Sequence, residues 1–261
     1  MRAPAAEVPL SAPDGSHKRL RMERSSPLAV CGFLLLATAA RAGDLTIRQR
    51  TTTSAAGRTN TREEMQYAHG DVLVIDAADT RTIVDVVAKT MTVADKTKKT
   101  YFVMTFDDMR KQAEAVRARV AKMPADVRKM LEEMLGSGGE VTLKPTGKHE
   151  KIAGFDATEQ ELSGGPFHGS IWTTDAIELP DGVRRWRELA AGATADGGPA
   201  RPLAEALARV RGLPLRSTMT ATVGPGSFTT TIDVLEASTK TPPADVLVLP
   251  PGFTQVDAPT D

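Results

Sequence analysis

The hydrophobic period of this chain changes at Phe106, and that change limits the folds open to it. Before Phe106, apolar and polar residues alternate. Thr46–Thr53 sets Ile47, Gln49 and Thr51 against Arg48, Arg50 and Thr52, the two-residue period of a half-buried strand. Ser54–Gly57 reads as a break. Arg62–Ala68 and Asp71–Asp76 read as strands about a His69-Gly70 turn, and Arg81–Val87, Thr90–Ala94 and Thr100–Met104 continue the pattern. Turns every ~8–12 residues predict a meander of antiparallel strands.

From Phe106 the steps lengthen to three and four. Phe106, Met109, Ala113, Val116, Val120 and Met123 form one apolar stripe on a helix. Thr105 is placed as its N-cap, with Asp107 and Asp108 in the first turn, where the helix dipole favours negative charge. Pro124 ends it. Val127, Met130, Leu131, Met134 and Leu135 make a second stripe, stopped by Gly136-Ser137-Gly138-Gly139. This predicts a helical hairpin inserted between β segments.

Strands resume at Glu140–Lys144, Lys148–Ala153, Asp156–Leu162 and Gly169–Thr174. Helices follow near Gly182–Ala191 and Pro202–Arg211. Leu215–Val223 and Ser227–Ala237 form a hairpin about Gly224-Pro225-Gly226, and Ala244–Leu249 is the last expected strand. The architecture is α+β: a strongly curved antiparallel β-sheet whose concave face is covered by the helical hairpin and further short helices.

Residues 25–42 hold an apolar run from Leu28 to about Ala37, then Ala40-Arg41-Ala42, the small-x-small pattern of a signal-peptidase site. The run is shorter than the ~20 residues needed to span a bilayer. The expectation is an export signal over residues 22–42, cut before Gly43, with no transmembrane segment in the mature chain. Residues 1–21 are then either a long basic n-region or an early start, translation beginning at Met22. Leu28-Ala29-Val30-Cys31 is a poor lipobox: Val30 is branched, and most of the apolar run follows the cysteine. Residues 43–257 are expected to form a single exported domain, periplasmic or secreted, with a short tail at 258–261.

Cys31 is the only cysteine, and cleavage removes it. The mature chain is then held by its apolar core, without disulfide or Cys-ligated metal. Its charges are 27 basic against 30 acidic, without the positive field of a nucleic-acid binder.

No local pattern carries catalysis or a cofactor. His69, His149 and His168 are far apart, with no His-Glu-x-x-His zinc pattern. There is no Gly-x-Ser-x-Gly elbow. Gly224–Ser227 lacks the lysine of a phosphate loop. The methionines are more suggestive: Met104, Met109, Met123, Met130 and Met134 are closely spaced, four of them on the helical hairpin. Flexible thioethers suit a surface that fits several apolar shapes, and equally fill gaps in an ordinary core. The candidate apolar ligand site is Phe106, Met109, Val116, Met123, Met130, Met134 and Trp172. Arg184 and Trp186, on a short amphipathic helix, are candidates for contact with an anionic membrane surface.

Four segments carry a family resemblance: Lys98–Thr105, Lys151–Phe155 continuing to Leu162, Ser170–Asp175, and Leu249-Pro250-Pro251-Gly252-Phe253. In order and spacing they resemble the exported bacterial proteins grouped as domain of unknown function 4412. That group is similar to the outer-membrane lipoprotein carriers. The resemblance implies a half-open barrel with helices in its mouth, and a lipid or lipid-modified protein as partner. It carries over no catalytic residue. The linker Gly192–Pro199 and the helix after it are longer than the group's usual form. The expected function is non-catalytic binding of a lipid, acyl chain or other hydrophobic ligand outside the cytoplasm. The alternative is a structural or interaction protein of the cell envelope with a filled core. Oligomeric state is not legible.

Overall fold

The computed structural model describes residues 43–127, 140–195, 201–223 and 226–259, all within one compact unit. The export signal, Met130, Met134 and most of the second helical stripe lie outside the described residues. Twelve strands are described: β1 (Leu45–Ala55), β2 (Arg58–His69), β3 (Val72–Asp76), β4 (Thr80–Asp85), β5 (Thr90–Asp95), β6 (Thr100–Thr105), β7 (Thr142–Ile152), β8 (Phe155–Gly164), β9 (Phe167–Thr174), β10 (Leu213–Val223), β11 (Gly226–Ser238) and β12 (Thr254–Gln255). The helices are α1 (Phe106–Ala121), α2 (Asp181–Ala195) and α3 (Arg201–Ala208), with a 3-10 turn at Ala244–Leu247.

All twelve strands belong to one sheet, in the order β12-β6-β5-β4-β3-β2-β1-β11-β10-β9-β8-β7. It is two meanders joined edge to edge. β1–β6 runs outward from β1, and β11 to β7 runs outward on the other side. The seam is β1 on β11, from Thr46 opposite Ser238 to Ala55 opposite Phe228. Every pair is antiparallel except β12 on β6. The end strands β12 and β7 do not pair, so the sheet is open and not a closed barrel.

Local chemistry explains the joints. β1 runs through the expected break to Ala55, because the turn is only Ala56-Gly57, with φ of 48° and 74°. Two successive positive φ values match the right-handed twist of the flanking strands. Cross-strand hydroxyl pairs, Thr52 with Thr61 and Thr220 with Thr229, tie the long polar arms together. The two strands expected at Glu140–Lys144 and Lys148–Ala153 are one edge strand, β7, broken by a register shift between Pro145 and His149. Proline, an irregular register and Lys144, Lys148 and Lys151 discourage this edge from adding a further strand.

Helix α1 begins as expected. Thr105 accepts from the Asp108 backbone N–H, and the Asp108 carboxylate accepts from the Thr105 backbone N–H in return. The last expected strand does not form. Ala244–Leu247 is a 3-10 turn entered from Pro243 at φ −58°. Prolines at 242, 243, 250 and 251 deny this segment the donors a ladder needs. Arg81 Nη1 donates to the Val248 carbonyl at 3.2 Å and straps it across the sheet. The chain pairs only afterwards, as β12.

The apolar core forms two clusters. One gathers Leu45, Ile47, Leu73, Val84, Trp172 and Leu215, with Phe106, Val183 and Trp186 packed against it. The other gathers Val141, Leu162, Ile171, Ala206 and Val210. Ile171 and Trp172 are adjacent in β9, so their side chains leave opposite faces of the sheet. Ile171–Thr174 are all buried. The sheet is therefore covered on both faces at β9, where the sequence led us to expect cover on one.

Candidate functional site

After β9 the chain crosses from Asp175 to Pro180 and enters α2. Three contacts seat that helix. Val183 and Trp186 pack on the larger core cluster. Gly182 lies against the Gly70 carbonyl, so closely that a Cβ there would come within 2.4 Å of the oxygen. Arg185 Nη2 meets Asp71 Oδ1 at 2.6 Å. Arg184 fixes the approach: its Nη1 donates to the Leu179 carbonyl at 2.7 Å, and the guanidinium pairs with Asp181 and, at 3.6 Å, with Glu178.

Helix α3 packs beside α2, and the fit leaves a hollow of about 600 Å³. Buried Ile177 and Val210, with Leu179 and Ala208, give it an apolar lining, and Asp175, Glu188, Arg187 and Arg211 also border it. Arg187 is half-buried and has no ion-pair partner among the described residues. Burial pushes its pKa below the ordinary arginine value, but a guanidinium in a protein stays charged.

A second hollow, also about 600 Å³, lies where α3 meets the β7–β8 hairpin. Val141, Leu143, Pro145 and Ala206 form its apolar part, with Arg209 and Arg211 beside them. Arg211 borders both hollows.

The residues singled out from sequence lie elsewhere. Phe106 is half-buried at the start of α1, its ring on Trp186, and its N–H donates to the Lys89 carbonyl at 3.0 Å. Met109 is half-buried and Met123 is 37% exposed. Trp172, 8% exposed, is part of the packed core. None of these four lines either hollow. The Val116 side chain, Met130 and Met134 lie outside the description. Trp186 is half-buried against Phe106 and the larger core cluster, and Arg184 is exposed beside its acidic neighbours Glu178 and Asp181.

Two ionic clusters outside the hollows are tied into the structure. Asp76 accepts from Arg81 Nε and Nη2, each at 3.0 Å, and from Lys96 Nζ at 2.6 Å. Asp44 accepts from Thr241 and meets His69 Nδ1 at 2.7 Å. The Asp44 carboxylate thus bridges Thr241 and His69, one on each oxygen. Among the described residues, no group of three His, Cys, Asp or Glu converges as a metal site, and no helix is long and apolar enough to cross a membrane.

Sequence reading missed Ile177, Leu179 and Val210. Val210 had a signal: it extends the stripe Leu203, Ala206, Leu207 by one more step. Ile177 and Leu179 lie in a connecting segment with no period to read.

No family model matches the chain, and no curated protein does. Among solved structures it is similar to PNGF-II at 11% identity, over 83% of this chain and 31% of that one, with a TM-score of 0.37. It is similar to MucB at 13% identity, over 84% of this chain and 61% of that one, with a TM-score of 0.34. A LolA superfamily protein from Nitrosomonas europaea aligns at 8% identity, over 79% of this chain and 90% of that one, with a TM-score of 0.32. The chain thus spans about a third of PNGF-II and less than two thirds of MucB. Likeness this distant carries no argument about function, which rests on the geometry alone.

Proposed function

We propose that this chain is an exported, non-catalytic binding protein for a lipid, an acyl chain, a lipid-modified protein or another apolar ligand. One observation carries the reading: the hollow between α2, α3 and the strand ends, where Ile177, Leu179, Ala208 and Val210 line about 600 Å³ of space. Ligand pockets range over about 300–1,000 Å³. Each Å² of apolar surface covered there contributes roughly 25 cal/mol, so an acyl chain needs few polar contacts to bind. The curved sheet and its helical cover supply the scaffold. In this reading the stripe from Phe106 through Met109, Val116 and Met123 towards Met130 and Met134 is an adaptable flank, and the ligand lies beside it.

The second reading is a structural protein of the envelope. The packed centre of the sheet favours it: Ala94, Ala157 and Leu215 are 0% exposed. Native mass spectrometry of the chain purified from an exporting host separates the two. Extra mass that an apolar fluorescent probe displaces is expected. A clean apo mass with no probe uptake would leave the scaffold reading standing.

A further inference from the structure

We propose that the groove between α3 and the β7–β8 hairpin holds the head of a free long-chain carboxylic acid, its carboxylate on Arg209 and Arg211 and its first methylenes on Val141 and Leu143. This rests on the binding-protein reading and names the ligand's chemistry and a separate place for its head.

Three observations lead there. First, Arg209 and Arg211 both border the groove, and neither has an ion-pair partner among the described residues. The carbonyls ending α3 attract a cation at Arg209. That attraction fades within the last turn, and Arg211 stands beyond it.

Second, among the described residues that border the groove, Glu159 is the one carboxylate. Strand alternation turns Glu159 away from the face that carries Thr158 and Gln160. There Lys148 Nζ holds it at 2.9 Å and Thr146 Oγ1 donates to it at 2.8 Å. The hollow beside α2 differs, since Asp175, Glu178 and Glu188 border it together with its arginines. Charge therefore selects an anion at the groove and not at that hollow.

Third, the apolar part of the groove is a continuous row. Val141, Leu143 and Pro145 are spaced by two along the edge of the sheet, so they share one face. Val141 and Ala206 are buried in the smaller core cluster, while Leu143 is only half-buried and open to a guest. An apolar row beside two guanidinium groups matches a hydrocarbon chain with an anionic end, and guanidinium takes a carboxylate through paired hydrogen bonds.

The test compares oleate with monoolein, its uncharged glycerol ester, by fluorescence displacement on the chain secreted from an exporting host. Wild-type protein is expected to bind oleate about tenfold more tightly, with the preference shrinking as salt rises. The R209E/R211E variant, changed only at exposed positions, should lose that preference, its oleate affinity falling about tenfold or more. Leu143→Trp should weaken both ligands. If R209E/R211E binds oleate as wild type does, or if wild type binds the two equally, the anionic site is overturned and the binding function stands. If wild type binds neither, both proposals fall.

Discussion

The ring of Phe106 lies 5.6 Å from that of Trp186, tilted by 48°. Phe106 is the first residue of α1 and Trp186 sits inside α2, so this contact ties together two helices separated by the whole β7–β9 meander. A tilted aromatic pair adds about 0.5–1.5 kcal/mol beyond the area it buries. It also spends Trp186 on packing.

Replacing that ring tests its role. Trp186→Ala should cost roughly 2–3 kcal/mol, below the ~3–5 of a fully buried aromatic. For a domain of this size that lowers the Tm by roughly 5–10 °C. Calorimetry gives the answer. An unchanged Tm with lost binding to anionic vesicles would assign Trp186 to a membrane contact beside Arg184.

Gly182→Ala should destabilise the protein although alanine is the better helix former by about 1 kcal/mol. The new methyl group would meet the Gly70 carbonyl oxygen at 2.4 Å and the Asp71 Cα at 3.0 Å. Backbone on the far side cannot rotate away, so α2 must lift. The expected cost is about 1–3 kcal/mol, read as a lower urea midpoint. A rise in the midpoint would show that α2 does not dock where Gly182 touches Gly70.

Asp76 should make stability fall in acid. Burial works to raise its pKa, but hydrogen bonds from Arg81 and Lys96 outweigh that and hold the carboxyl below its usual range. The folded value is thus below the unfolded value of about 3.9. The stabilisation is complete above the unfolded value and is lost as pH falls through the folded one. Asp76→Asn should cost about 1–3 kcal/mol at pH 7, because Arg81 and Lys96 lose a charged partner. Its deficit should shrink below about pH 4. Urea midpoints across that range would show a constant gap if Asp76 were not the group responsible.

Ala208→Trp should block the hollow beside α2. Ala208 is exposed at its border, so the indole enters the space without disturbing the core. Apolar probe affinity should fall about tenfold or more, while the Tm moves by less than ~2 °C. Unchanged probe affinity would place the ligand elsewhere.

Much of the fold was legible wherever a period ran long enough to count. Ile47, Gln49 and Thr51 announced β1, and the three-and-four spacing from Phe106 announced α1 together with its Thr105 cap. The reading failed at Ala244–Leu249. Its apolar run looks like a strand, but flanking prolines and the Arg81 strap make it a 3-10 turn. The true last strand, Thr254–Gln255, is too short to show any period. The hollows were less legible still. Ile177, Arg187 and Val210 come from three separate segments, and each is ordinary in its own stretch.

From sequence alone, Gly169–Thr174 is a strand and a helix lies near Pro202–Arg211. Which face each helix would cover was settled only by the folded chain. Ala206 packs in the Ile171 cluster, while Phe106, Val183 and Trp186 pack against the Trp172 cluster. A period is a property of neighbours along the chain and follows from backbone geometry. A partner is chosen by close packing between segments far apart in sequence, and the spaces left where that packing is incomplete belong to no single segment.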